Sequence, residues 1–416
     1  MGIDASAYSP EGPKLLFGRA KGAKALGAVD QKAQAWSKQN QLAPLYSSAV
    51  TADGALAVKL LPIADSIFFE AVKDGLVVNF RSSNTGPGYH AAVVGMLEDV
   101  AHQLSFNWNW GGVGDQCTDE TGYVVDRDFS SLQGQMAEFL RSLTRSHRSQ
   151  AFEGGSFCIP YGLGLDSELI ACPLGYNSAA WAEFVVEADE AELLGEAARF
   201  FPWWSEGLDG QFWLNQLRGM LWQVAEWRAP ANELESRTND QIRFIVTKLE
   251  ALNEPIPADL ETAVSEYFRA VSDDMPPVPD GIGYQRRTVS LAPFQGWQLH
   301  LPGYLVESTA PDNQTVIYHH GSIALRVSSM RVEKKTASPF SWPSSLKDGP
   351  LIEANGLSWR VEDIQMEDDG WTSQFALVAH ENEREVQLLM LTLSTEQPEK
   401  HGHLHDWLQD LRFVGS

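Results

Sequence analysis

Residues 272–284 read SDDMPPVPDGIGY, and no regular element runs easily through them. Proline removes a backbone donor and fixes φ, and glycine admits dihedrals that other residues avoid. A helical segment precedes this stretch and a strand-like one follows it. The break therefore predicts two cores: an α+β domain over 1–271 and a smaller domain over 285–416, with 272–284 as the linker. The chain has 416 residues, enough for two or three domains at about 100–200 residues each. Its hydrophobic share of 44% supplies the cores.

In the N-terminal part a helix is expected over 20–39, stopped before Pro44. Strands are expected over 55–61, 67–72 and 76–81, and the Asp74-Gly75 pair makes 67–81 a hairpin candidate. Over 87–104, Val93, Leu97, Val100 and Leu104 recur at steps of four, three and four, which draws one apolar stripe on a helix. A loop-rich aromatic stretch, 106–128, precedes a helix over 130–144. Strand-like pieces fall at 156–171 and 181–186. Helices are expected over 190–201, over 211–227 with Asp209 as cap, over 232–252 and over 258–271. The fold class is α+β, a mixed sheet with a helical second half.

The C-terminal part changes character. Asn355-Gly356 is a strong hairpin signal, Asp369-Gly370 marks a second turn and 381–383 a third. Between them lie strand-length runs at 357–366, 371–380 and 385–393, which predicts an antiparallel meander. A closing helix over 398–411 sets Leu404, Leu408 and Leu411 on one side, able to cover one face of the sheet. This order, GWQLHLPGYLVEST, then strands, then a helix ending WLQDLRFVGS, resembles the small α/β sandwich of the photosystem extrinsic-subunit family and its bacterial relatives. The resemblance rests on layout and covers less than a third of the chain. It implies a non-catalytic interaction domain and transfers no functional residues.

Charge narrows the partners. Thirty-one basic residues stand against 55 acidic, a formal net charge of −24. A field of that sign repels phosphate backbones and anionic membrane surfaces, so neither nucleic acid nor membrane is expected as a partner. It favours encounter with a basic protein. No apolar run reaches the length of a membrane span, and no secretory signal opens the chain. Met1, Gly2 and Ser6 fit a loose acylation pattern, without the basic residues that reinforce a single lipid chain. Cys117, Cys158 and Cys172 make no disulfide framework and suit a reducing cytoplasm.

Four groups of residues are candidates for chemistry. Gly86, Gly88, Tyr89 and His90 stand where a strand passes into a helix. Open amides there, with the helix dipole, could accept an anion, and a neutral His90 could act as a base. The same pattern also fits a helix start that needs glycine for close packing. Trp108 and Trp110 sit in a glycine-rich loop that could line a ligand pocket, with Asp115 as the carboxylate orienting His90. The carboxylates after Asp115 do not follow the calcium-loop spacing. His401, His403 and His405 lack the glutamate of a metalloprotease helix, so no metal and no cofactor is expected. Trp203 and Trp204, beside Pro202, are the candidates for an exposed partner-binding patch. No P-loop, dinucleotide fingerprint or nucleophile elbow occurs. Taken together, these residues predict a non-catalytic protein-binding role of adaptor, inhibitor or immunity type. The alternative is an enzyme or small-ligand sensor with an anion-accepting pocket at Gly86–His90.

Overall fold

The hairpin expected over 67–81 forms the middle of a five-stranded antiparallel sheet. The strands are β1 (Asp4–Ser9), β4 (Ser47–Val50), β5 (Leu56–Lys59), β6 (Ile67–Val72) and β7 (Gly75–Arg81), in the order β1-β7-β6-β5-β4. A small hairpin, β2 (Lys14–Leu15) with β3 (Gly18–Arg19), follows β1. A computed structural model describes residues 3–15, 18–73, 75–110, 118–149, 155–159, 164–165, 169–273, 279–311, 314–321, 323–334, 340–346, 350–364, 371–396 and 404–414. They form an α+β chain in two compact units.

Residue alternation decides what each face of the first sheet does. Ala5, Ala7, Leu56, Val58, Ile67, Phe69, Leu76, Val78 and Phe80 are buried, and α1 (Ala23–Gln39) and α2 (Pro87–Gln103) pack on this side. Their neighbours Asp4, Ser6, Lys59, Phe68, Asn79 and Arg81 are half-buried or exposed on the other side. The free edge of β1 is closed by a later segment: Tyr8 and Asn109 exchange backbone hydrogen bonds, and the Ser6 amide donates to the Thr118 carbonyl at 3.0 Å.

The rest of the first unit is mainly helical. It holds α3 (Tyr123–Asp126), α4 (Phe129–Ser149), α5 (Ala179–Glu187), α6 (Glu190–Phe200), α7 (Gly210–Gly219) and α8 (Glu233–Leu252). A three-stranded sheet joins β8 (Gly155–Ser156) to the hairpin of β10 (Ile170–Cys172) and β11 (Gly175–Asn177). Residues 181–186, expected as a strand, belong to α5. The Ser178 hydroxyl caps it by accepting from the Trp181 amide at 3.2 Å, and that cap outweighs the β preference of Phe184, Val185 and Val186. The single helix expected over 211–227 is also corrected. α7 passes into one π-helical turn, Met220–Val224, and the chain then leaves helical geometry, with Trp227 at φ 55°.

The chain does not divide at the proline-rich stretch. The first unit comprises 1–160, 167–225 and 232–265; the second comprises 161–166, 226–231 and 266–416. The division falls inside α9 (Ala258–Asp273), upstream of 272–284. Two short excursions from the N-terminal side therefore serve the second unit. β9 (Gly164–Leu165) pairs antiparallel with β12 (Thr288–Phe294), which pairs in turn with β13 (Trp297–Pro302) and, through it, β21 (Arg412–Phe413). Trp227, from the other excursion, is fully buried. The Arg286 guanidinium lies 4.4 Å above its ring and the Tyr267 ring meets it edge-on at 5.5 Å. Gly283, at φ 124°, makes this fit possible, because a Cβ there would lie 2.3 Å from the indole nitrogen.

The main sheet of the second unit has seven antiparallel strands. They are β14 (Val306–Thr309), β15 (Thr315–His320), β16 (Ile323–Glu333), β20 (Glu385–Thr395), β19 (Thr372–Glu381), β18 (Leu357–Ile364) and β17 (Ile352–Ala354), in that order. Asn355 and Gly356, both at positive φ, turn β17 into β18 as the sequence signal requires. Both faces of the central strands are apolar. Leu389, Leu391 and Leu393 of β20 join a core with Trp297, Leu299 and Leu301 of β13. Val386 and Leu388 join a second cluster with Leu346, against which Phe340 and Trp342 pack. The closing helix is short, α10 (Leu404–Leu408), and shares the covering of its face with β13.

Candidate functional site

The start of α2 is plugged. Gly86, at φ 112°, and Gly88 let residues 201–205 pack directly on the helix start: a Cβ on Gly88 would lie 2.1 Å from the Ser205 carbonyl oxygen, and one on Gly86 2.7 Å from that of Trp203. The Gly88 amide donates to the Trp203 carbonyl at 3.0 Å, and the Trp203 amide donates to the Thr85 carbonyl at 2.8 Å. The expected anion-accepting mouth at Gly86–His90 is therefore occupied by the protein's own backbone. This also corrects the expectation for Trp203, which is 2% exposed and packs on Phe212 at 4.7 Å. Trp204 is half-buried and stacks on Phe201 at 6.1 Å.

His90 is fully buried and held from both nitrogens. The Ser82 hydroxyl lies 2.9 Å from Nδ1, while Thr121 Oγ1 and Asp119 Oδ1 lie 3.3 and 3.4 Å from Nε2. Phe80 and Tyr123 flank the ring. Asp119 also accepts from the Thr121 amide at 3.0 Å, the Thr121 hydroxyl at 2.7 Å and the Val124 amide at 2.9 Å. Burial by itself would raise the Asp119 carboxyl, but hydrogen bonds from His90, Val124 and Thr121 outweigh it and hold the group well below the usual carboxylate range. An ionised Asp119 favours an imidazole proton on Nε2, the nitrogen that faces it. Asp115, the carboxylate expected beside His90, lies outside the described residues. The carboxylate that meets His90 among the described residues is Asp119, four positions on.

Serine, imidazole and carboxylate in line are the parts of an activated nucleophile. Here Ser82 has no exposed surface, and its Oγ also lies 3.4 Å from the Ile3 carbonyl. The three groups tie the end of β7, the start of α2 and the turn at 119–121 into one buried network.

An open cleft of about 660 Å³ lies beside this network, on the outer face of the sheet. Phe80 and Arg81, the two residues before Ser82, line it, as do Thr118 and Glu120 on either side of Asp119. Phe68 contributes an aromatic ring that is 41% exposed. Charges ring it. Arg81 Nε donates to Asp4 Oδ1 at 2.8 Å, and the Glu120 carboxylate accepts from the Asp4 amide at 3.1 Å. Burial raises the Asp65 carboxyl, partly offset by the positive charges of Arg81 and Lys59. Asn84 donates to the Asp65 carboxylate at 2.7 Å, and the buried Tyr89 hydroxyl donates to the Asp65 carbonyl at 3.0 Å. Tyr89 thus serves the cleft by fixing the Asp65 loop from beneath.

Trp108 and Trp110 are both half-buried. The Trp108 indole donates to the Leu97 carbonyl of α2 at 2.9 Å, and its ring meets Phe106 edge-on at 5.0 Å, so it packs the segment beside β1. Among the described residues no group of three His, Cys, Asp or Glu side chains is placed to hold a metal, and no helix is long and apolar enough to cross a membrane. His401, His403 and the His405 side chain lie outside the described residues. The cleft was hard to foresee, because its residues come from five separated segments and carry no motif. No family model matches the chain, and no curated protein matches it.

Proposed function

We propose that this chain is a non-catalytic protein-binding molecule that takes a segment of its partner in the cleft over β1, β5, β6 and β7. The observation that carries the reading is an exposed apolar anchor inside a charged rim. Phe68 and Val72, 41% and 37% exposed, point the same way from β6, and Asp4, Lys59, Asp65, Arg81 and Glu120 surround the Phe68 end. A desolvated aromatic centre with a polar surround is the usual anatomy of a protein interface. The rim holds three carboxylates and two cationic groups on a chain of formal charge −24, so the favoured partner segment is basic and carries an apolar side chain. The resemblance of 285–416 to a small interaction domain points in the same direction. The enzyme reading is weaker because its nucleophile, Ser82, is sealed from solvent.

The test is affinity purification from the native cell with the full chain, its Phe68→Asp variant and a control at the exposed Val414. Partners should be lost with Phe68→Asp and kept with Val414→Asp. Identical recovery with all three would remove the cleft as the binding site.

A further inference from the structure

We infer that the first unit carries a second binding site, for a small carboxylate or phosphate anion, in a cavity between β11 and helices α5, α6 and α7. The cavity measures about 210 Å³, which suits a small metabolite. Two arginines are among its lining residues: Arg199 from α6, whose side chain is 80% exposed, and Arg218 from α7. Trp181, Tyr176 and Phe200 supply the apolar part, with the Trp181 and Phe200 rings stacked at 6.1 Å.

The lining holds two cations, Arg199 and Arg218, against one acid, Glu196, which leaves one positive charge for an anion to meet. Glu196, the acid in the wall, is engaged on both oxygens: it accepts from Trp181 Nε1 at 3.0 Å and from Arg199 Nη1 at 2.8 Å. Arg218 reaches Asp259 at 3.4 Å across an exposed pair whose side chains are 36% and 60% accessible. Such a contact is worth little in water, so a planar carboxylate or a phosphate that meets the guanidinium with two parallel bonds competes with it well.

The backbone around the cavity is specialised in two independent ways. α7 breaks into its π turn two residues after Arg218, and such turns collect at functional sites. Gly175 of the wall stands at φ 132°, and a Cβ there would lie 3.0 Å from the Trp222 indole nitrogen. Trp222, on the π turn, also meets Tyr176 edge-on at 5.6 Å. The π turn and the glycine thus set both the Arg218 side of the cavity and its tyrosine.

Calorimetric titration of the full chain with succinate, and separately with inorganic phosphate, tests the proposal. Saturable one-to-one binding of at least one probe is expected, weakened about tenfold or more in Arg218→Met and in Arg199→Met and unchanged in Arg243→Ala, an exposed arginine on α8. Preference for succinate would identify a carboxylate site, and preference for phosphate a phosphate site. Far-UV circular dichroism of each variant confirms its fold. Absence of saturable heat with both probes, or binding that both methionine variants leave intact, overturns the site.

Discussion

Asp119 shows how a single buried side chain contributes to the pH response of this molecule. Its carboxyl titrates lower in the folded chain than in the unfolded one, so the folded state binds fewer protons at acid pH. The resulting stabilisation is complete above the unfolded value of about 4 and is lost as pH falls through the lower folded value. Urea unfolding of Asp119→Asn should therefore show a lower midpoint than wild type at pH 7 and a gap that narrows steadily below about pH 4. His90→Ala removes the ring between Ser82 and Asp119 and leaves a void among Phe80 and Tyr123. Its expected cost is about 3 kcal/mol, read from the same urea midpoints. A loss below about 0.5 kcal/mol would mean that the network relaxes freely around the missing ring. His90 could be singled out in the sequence because it follows Gly-Pro-Gly-Tyr at a helix start. Its partners could not, since Ser82 and Asp119 reach it through tertiary contact and no fixed spacing links the three.

At the scale of elements, periodic segments were legible and buried aromatic contacts were not. α2 and the β6–β7 hairpin stand where apolar spacing and turn residues put them, because both signals are local. The glycines before His90 admitted two readings, an open anion mouth or close packing, and the deciding group was a backbone carbonyl more than a hundred residues away, at Trp203. Trp203 itself looked exposed beside Pro202, yet the same docking buries it. Gly88→Ala tests this junction directly. The added methyl has no room against Ser205 and Trp203, and the variant should lose about 3 kcal/mol, seen as a lower thermal midpoint. Gly95→Ala, on the same helix with open space around it, should instead hold or raise stability by a few tenths of a kcal/mol.

For the whole molecule, the two compact units divide inside α9, upstream of the proline-rich stretch. β9 and Trp227 come from the N-terminal side, and a two-residue strand or a lone tryptophan leaves no periodic trace to read. A fragment of residues 285–416 should therefore fail to reach native packing, because it lacks β9, Trp227, Tyr267 and Glu266, whose carboxylate lies 2.8 Å from the Arg286 guanidinium. Poor dispersion in its amide NMR spectrum is the expected result; a well-dispersed spectrum would show that those pieces are dispensable. The same layout constrains how the protein is made. A ribosome delivers Gly164–Leu165 long before β12 exists to receive it, and the tryptophan at 227 emerges before Arg286 can cover its ring. Until residues 286–294 are translated, both pieces wait exposed, and a pause in synthesis there would hand a chaperone, or a neighbouring nascent chain, a sticky and unfinished edge.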